Sequence, residues 1–323
     1  MAERDLIRAF RELVAVRGDR VLRASGDDAA VARAGGVVVS SIDSVVDGVH
    51  FMRSTHSLED VGHKALARGL SDLAAMGAEP GEAYVALAAP DDLEEADALE
   101  LVRGMEALAE ATGTTIAGGD VTGAPVLAIT ASVNGWAASE HELAYRDGAR
   151  DGHLLGVTGE VGGSAAGLLL LGGLSTPLSD AEAAALLARH RRPTPRLAAG
   201  RALALAGVSA MIDLSDGVAT DAGHLAEASG VAIEVRLEAL PVAAGVEAVA
   251  QAAGRDPLEL AAGGGDDYEL LFTAAPEARS SVEAAAREAG TYVRWLGRVA
   301  PGAGVRLVRP GGGVAEIAGF EHL

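Results

Sequence analysis

Short apolar, β-rich runs alternate along this chain with longer segments of helical period, and that alternation limits its fold more than any other feature. Val37-Val38-Val39, continuing to Ile42 between Gly35-Gly36 and Asp43, predicts a buried strand. Leu6, Phe10, Leu13 and Val14 recur at helical spacing and predict an amphipathic helix over 3–17. Helices over 58–76 and about 93–111 follow, the first stopping at Gly77 with Pro80 beyond. Further strands are predicted at 84–88, 114–117, 125–135, 154–158, 210–213, 231–236, 268–273 and 291–299. Helices from Ser164, near 180–190, 196–206, from Gly217, and near 243–253 and 277–289 lie between the later ones. The pattern means mixed α/β layers, an α+β class. At 323 residues two domains are expected, and the polar stretch from Ala137 to Gly152 is the natural connection, giving 1–137 and 138–323.

Charge and cysteine content remove several functions. With 26 Lys+Arg against 46 Asp+Glu the formal net charge is −20, so a basic face for a nucleic-acid backbone is not expected. The absence of Cys excludes disulfides, zinc–cysteine sites, iron–sulfur clusters and thiol nucleophiles. Lys64 is the only lysine. It follows His63, so the Gly-Lys step of a phosphate-binding loop is missing, and it sits in a helical stretch rather than on the strand a protein-kinase site needs. Phosphates here need cations other than lysine. The charged start Met1-Ala2-Glu3-Arg4-Asp5 and the short apolar runs predict no targeting or membrane segment and a cytoplasmic protein.

Acidic residues gather where strands are predicted to end. They are Asp27-Asp28 after Gly26; Asp43 after Ser41-Ile42; Asp120 after Gly118-Gly119; Asp213 and Asp216 around Ser215; and Asp266-Asp267 after three glycines. For any one cluster a turn or helix cap outweighs a ligand by about two to one. Asp72 is harder to dismiss, because it interrupts the apolar run Leu70, Leu73, Ala74, Ala75, Met76. The repetition would place carboxylates along one rim of a mixed sheet. Crowded carboxylates repel unless a cation joins them, and Mg²⁺ commonly bridges carboxylates to substrate phosphates.

Gly156 to Ser164 follows a strand and opens a helix, where backbone N–H groups can receive an anion; a tight turn without ligand is equally compatible. It lacks G-x-G-x-x-G spacing, which disfavours a dinucleotide fold. His50 reads as a structural hydrogen-bonder, Trp136 and Trp295 as packing groups, and Arg146 as a solvated charge.

Taken together, these motifs resemble the thiamine-monophosphate kinases, in the superfamily of aminoimidazole-ribonucleotide synthetase, selenophosphate synthetase and the hydrogenase maturation dehydratase. The carrying stretches are Gly26 to Ala30, Ser41-Ile42-Asp43, Val49-His50-Phe51, Leu70 to Ala78 with Pro80, Gly118-Gly119-Asp120, Ile212 to Gly217, and Asp267 to Leu270. The resemblance implies transfer of the ATP γ-phosphoryl to thiamine monophosphate, giving thiamine diphosphate and ADP by direct in-line transfer. It implies several Mg²⁺ ions between the domains. It also implies a homodimer formed through the sheet of an N-terminal ATP- and Mg-binding domain, with an α/β C-terminal domain completing the ATP and substrate site.

Carried over by position, Asp27, Ser41, Ile42 (by its carbonyl), Asp43, Asp72, Asp120, Asp213 and Asp216 would hold Mg²⁺, with Asp43, Asp72 and Asp120 central to catalysis. Gly119, Asp120, Arg146 and Ser215 would contact ATP, and His50, Asp266 and Phe320 would line the thiamine phosphate pocket. Three departures stand out. Asp266 replaces the family's usual Glu, Gly152-His153 its usual Gly-Asp, and Val102 an aromatic near the adenine. Zero Cys excludes the selenophosphate and hydrogenase-maturation branches. An aminoimidazole-ribonucleotide synthetase-like enzyme and a non-catalytic Mg-nucleotide-binding protein are the alternatives.

Overall fold

The computed structural model describes residues 3–25 and 29–317. The chain forms two compact units, Met1–Leu73 with Ala78–Glu140, and Ala74–Gly77 with His141–Leu323.

The first unit contains α1 (Glu3–Leu13), β1 (Val21–Arg23), β2 (Val31–Ala32), β3 (Val37–Val46), α2 (Leu58–Met76) as far as Leu73, β4 (Glu79–Ala89), α3 (Glu95–Thr112), β5 (Thr115–Gly123) and β6 (Ala128–Ala137). Its main sheet has the order β3-β6-β4-β5. The pair β4/β5 is parallel, bridged by α3, and the others are antiparallel. Along β6, Ile129, Ala131 and Val133 are buried while Thr130, Ser132 and Asn134 are not, so the sheet has one covered and one more open face.

Helix α2 starts on a reciprocal cap. Ser57 Oγ accepts from Asp60 N–H at 3.1 Å, and the Asp60 carboxylate accepts from Ser57 N–H at 3.2 Å. Its apolar residues Val61, Leu66, Leu70 and Leu73 are fully buried, each contributing roughly 1.5–3 kcal/mol. The crossing with α3 needs glycine on both sides: a Cβ on Gly62 or Gly104 would stand 2.0 Å from the Leu101 or Glu59 carbonyl oxygen. Trp136 sits at the margin of the core, donating to Glu82 at 3.2 Å with the Arg20 guanidinium 4.0 Å from its ring centroid.

The second unit contains β7 (Leu154–Thr158), α4 (Gly163–Leu171), α5 (Asp180–Arg191), α6 (Leu197–Leu205), β8 (Ala210–Asp213), α7 (Val218–Ser229), β9 (Ala232–Arg236), α8 (Val246–Ala252), α9 (Pro257–Gly263), β10 (Leu270–Ala274), α10 (Arg279–Glu288), β11 (Val293–Ala300), β12 (Gly304–Val308) and β13 (Val314–Ala315). Seven strands form one sheet in the order β13-β12-β9-β11-β7-β10-β8, antiparallel except for β12 with β9. Leu155, Val157, Ile212, Ile233, Leu271 and Leu296 build its core with Val218, Ala222 and Leu225 of α7. Trp295 packs edge-on to Phe272 at 5.7 Å and donates to Glu283 at 2.7 Å.

The mixed α/β expectation holds, with ten helices among the described residues. Two strand ends need correction. β3 runs to Val46 and β5 to Gly123, so Asp43 and Asp120 lie within strands rather than at their ends. Gly118-Gly119 does not stop β5, because the chain runs against β4 there: a Cβ on Gly119 would meet Val85 O at 2.1 Å.

Candidate functional site

The candidate residues fall into separate groups, each built by its own unit. In the first unit, Ser41 and Asp43 are two apart on β3 and share its more covered face, whereas Ile42 points outward with 69% exposure. Asp72 stands on the same unit's α2, and Ser41 Oγ donates to its carboxylate. Arg68, one turn before Asp72, reaches Asp43 Oδ1 at 3.4 Å. Burial pushes the Asp43 carboxyl up to about 6; Arg68 pulls it down, and the charge of Asp72 pushes it up again. The carboxylate that sequence singled out on α2 thus has a hydroxyl donor, a second carboxylate and a guanidinium around it. Arg68 escaped sequence reading; its signal was a cation at i−4 from the one acidic residue in an apolar run.

Asp120 is not part of this group. β3 and β5 are the two outer strands of the sheet, about 14 Å apart across three strand spacings. Gly119 and Asp120 are exposed and line a cavity of about 90 Å³ closed by Phe10, Val85, Val102, Met105 and Ile116. His50 lies in the turn after β3, where its Nδ1 accepts from Val46 N–H at 3.1 Å, so the neutral ring carries its proton on Nε2. Asp27 and Phe320 lie outside the described residues.

In the second unit, Asp213 closes β8 and is buried, and Ser215-Asp216-Gly217 turns the chain into α7. Gly217 has φ 102°, which a side chain would strain. Asp221, 1% exposed, takes the Asp216 and Gly217 N–H groups on one carboxylate oxygen at 3.1 and 3.0 Å. Burial pushes its carboxyl up to about 8, helped by the charges of Asp213 and Asp216 and opposed by those two N–H groups. Asp216, Asp221 and His224 bring ligand atoms within 4.8 Å of one another.

The segment before β10 runs alongside this turn. Asp266 N–H donates to Ser215 O at 2.8 Å and Tyr268 N–H to Leu214 O at 2.9 Å, so Ser215 and Asp266 are neighbours. Asp266 and Tyr268 hold left-handed backbone, with φ 63° and 50°, and the Tyr268 hydroxyl donates to Asp266 Oδ1 at 2.7 Å. Glu269, buried, accepts from Thr158 Oγ1 at 2.6 Å and pairs with Arg196 at 2.5 Å. Arg146 is exposed and adjoins Tyr145, whose carbonyl accepts from Met211 of β8 at 2.9 Å.

The glycine-rich turn before α4 already has its anion. Gly162 N–H and Ser164 N–H donate to the Asp267 carboxylate at 2.5 and 3.0 Å. Burial pushes that carboxyl up to about 7 against the pull of these amides and of Arg189. The alternative of an external phosphate on this turn gives way to an internal carboxylate contributed from more than a hundred residues along the chain.

The oxygen-only donors Ser41, Asp43 and Asp72, with burial and the neighbouring Asp72 charge holding the Asp43 carboxyl up to about 6, fit a hard divalent cation. Asp213 and Asp216 offer the same donor chemistry in the second unit.

Residues 26–137 match the family model described as AIR synthase related protein, N-terminal domain, and residues 150–309 match its C-terminal domain. Thiamine-monophosphate kinase of Rhodopirellula baltica is 36% identical over 285 residues, covering 85% of this chain and 82% of its own. Among solved structures, thiamine-monophosphate kinase of Stenotrophomonas maltophilia K279a superposes with TM-score 0.82 at 36% identity, covering 94% of both chains. AaThiL complexed with AMPPCP and TMP superposes with TM-score 0.79 at 33% identity, covering 88% of this chain and 87% of its own. Both halves of the family model, and relatives at this identity over most of the chain, place the protein in the AIR synthase related family, among the thiamine-monophosphate kinases.

Proposed function

We propose that this chain transfers the γ-phosphoryl of ATP to the phosphate of thiamine monophosphate, yielding thiamine diphosphate and ADP by direct in-line transfer, with several Mg²⁺ ions. The observation that carries this reading is the Ser41–Asp43–Asp72 group, an oxygen cluster with more negative charge than Arg68 alone can balance. Membership of the kinase family supports the choice of reaction.

Two phosphates approaching to 4 Å repel by about 4 kcal/mol per unit-charge pair at an effective dielectric of 20. Mg²⁺, when bound, supplies the positive charge that offsets this repulsion. The chain's own part is to hold and orient. Asp43, Asp72 and Ser41, with Asp27 and the Ile42 carbonyl, provide one set of oxygen ligands; Asp120, Asp213 and Asp216 provide the rest. Gly119 and Asp120 border the cavity that takes the adenine, where Val102 offers apolar contact in place of a stacking ring. Arg146 and Ser215 bind the ATP phosphates. His50, through its Nε2–H, and Asp266, braced by Tyr268, receive thiamine monophosphate with Phe320. The acceptor phosphate is already ionised at neutral pH, so no strong general base is required.

The same reading divides the work between the domains, 1–137 binding ATP and Mg²⁺ and 138–323 completing the ATP and substrate site. It makes the protein a cytoplasmic homodimer joined through the four-stranded sheet, whose edge strand β3 presents Val38 and Ile42 outward at 49% and 69% exposure. Among the described residues no helix is long and apolar enough to cross a membrane.

Purified protein with ATP, Mg²⁺ and thiamine monophosphate should form thiamine diphosphate, and should consume ATP only when all three are present. No product under these conditions overturns the reading, and formation of aminoimidazole ribonucleotide from its precursor would select the alternative branch.

A further inference from the structure

Asp221 has no part in the ligand set proposed above, yet its surroundings single it out. It is 1% exposed, in the first turn of α7, and a single carboxylate oxygen takes both the Asp216 and the Gly217 N–H groups, at 3.1 and 3.0 Å. Gly217, with φ 102°, is a position where the backbone gains nothing from ordinary conformational preference. Asp266 N–H donates to Ser215 O at 2.8 Å, so the turn also carries the segment that presents Asp266. Buried amides left without an acceptor are costly, so removing this oxygen would favour a rearranged turn. We infer that Asp221 is a positioning residue for phosphoryl transfer: through its one oxygen it fixes the Ser215-Asp216-Gly217 turn and so sets where the Ser215 hydroxyl and the Asp216 carboxylate point. The inference rests on the kinase reading for its consequence in catalysis, but not for its structural content.

The two roles open to a buried carboxylate separate in Asp221→Asn. Asparagine keeps one carbonyl oxygen for both N–H groups and loses the charge. As a positioning residue, Asp221→Asn should keep kcat/KM within about threefold of wild type and leave the Mg²⁺ concentration for half-maximal rate unchanged. Asp221→Val, which offers no acceptor, should lower kcat/KM by at least about tenfold and raise that Mg²⁺ requirement, the size usual for groups that orient a metal ligand from behind.

Hydrogen exchange at the Asp216 and Gly217 amides supplies a readout independent of turnover: protection should persist in Asp221→Asn and disappear in Asp221→Val. If Asp221→Val does not fold, Asp221→Ser takes its place, its hydroxyl being too short to serve both amides. Equal loss of activity in Asp221→Asn and Asp221→Val overturns the inference, because the charge rather than the acceptor is then what matters. Persisting amide protection in Asp221→Val overturns it as well. Failure of wild-type protein to make thiamine diphosphate would sink the kinase reading alone, since the exchange measurement still decides what Asp221 does.

Discussion

The two acidic groups solve the same electrostatic problem by different means. In the first unit, Asp43 and Asp72 are offset by side chains, the Arg68 guanidinium and the Ser41 hydroxyl. In the second, Asp221 beside Asp213 and Asp216 is offset by two backbone amides. Burial weighs more heavily on the second group: it pushes the Asp43 carboxyl up to about 6 and the more deeply buried Asp221 carboxyl up to about 8. A guanidinium on a flexible stem can change partner when a metal arrives, whereas an amide is fixed by the turn that carries it. Under the proposed kinase reading, the first group would suit a site whose cations exchange, and the second a site whose ligands keep a set geometry.

The largest effect should come from removing one carboxylate on each side of this comparison. Asp72→Asn and Asp213→Asn should each reduce turnover by at least about 100-fold, the scale seen when a preorganised charge-stabilising group is lost, while circular dichroism stays that of wild type. Steady-state rates at saturating Mg²⁺ check this. Wild-type turnover in either variant would make that group structural and leave only one metal-binding side.

Sequence reading reached one side of the comparison more fully than the other. Asp72 was visible because a carboxylate interrupts an apolar helical run, Asp43 because it is an acid at a predicted strand end, and Ser41 only through the family resemblance. Arg68 was not, since its role depends on α2 lying against β3, which no local pattern states. Asp221 was also hidden: its partners are backbone amides, and a helix's first turn often carries an acid anyway. Asp267 acts on α4 from more than a hundred residues away, so the glycine-rich turn alone could not reveal its anion. The strands at Asp43 and Asp120 were cut short because Gly and Asp are ordinary strand stops, whereas here β5 continues through Gly119 against the Val85 carbonyl. Helix α9 was missed for its length of seven residues, although Asp256-Pro257 marks its start.

Stability against pH should come next in size. Asp43, Asp221 and Asp267 have folded values near 6, 8 and 7, all above the ordinary 3.8, so the folded state holds extra protons. Their contribution to stability is complete at acidic pH and is lost as pH rises from about 4 towards 8. Thermal melts in chelator should show Tm falling over that range, and Mg²⁺ should reduce the fall by compensating the first group. Asp221→Asn should make the fall shallower across the whole range from about pH 4 to 8, and most completely above pH 7, where Asp43 and Asp267 no longer hold extra protons. A Tm that rises with pH in chelator would contradict the assigned direction for all three groups.

Arg68→Gln tests whether the first group depends on its side-chain cation. Without metal the variant should lose about 1–3 kcal/mol, the worth of a hydrogen bond to a charged group together with the cost of leaving it uncompensated. Saturating Mg²⁺ should narrow the gap, since the cation then replaces what Arg68 supplied. Chemical denaturation with and without Mg²⁺ measures both values, and a deficit that Mg²⁺ leaves untouched would mean Arg68 acts by packing alone.

The smallest effect belongs to the matching substitution in the second group, His224→Gln. His224 Nε2 lies 4.0 Å from Asp216 Oδ2 with 45% of its side chain exposed, so solvent screens the pair and its contribution should stay below about 0.5 kcal/mol. The asymmetry between the groups requires this weakness: Asp216 and Asp221 are organised by the Gly217 turn, with no side-chain cation needed. Denaturation of His224→Gln at pH 6 and pH 8 decides the matter. A loss above about 1 kcal/mol at pH 6 that vanishes at pH 8 would show a charged histidine doing for Asp216 what Arg68 does for Asp43, and the two groups would then be variants of one device.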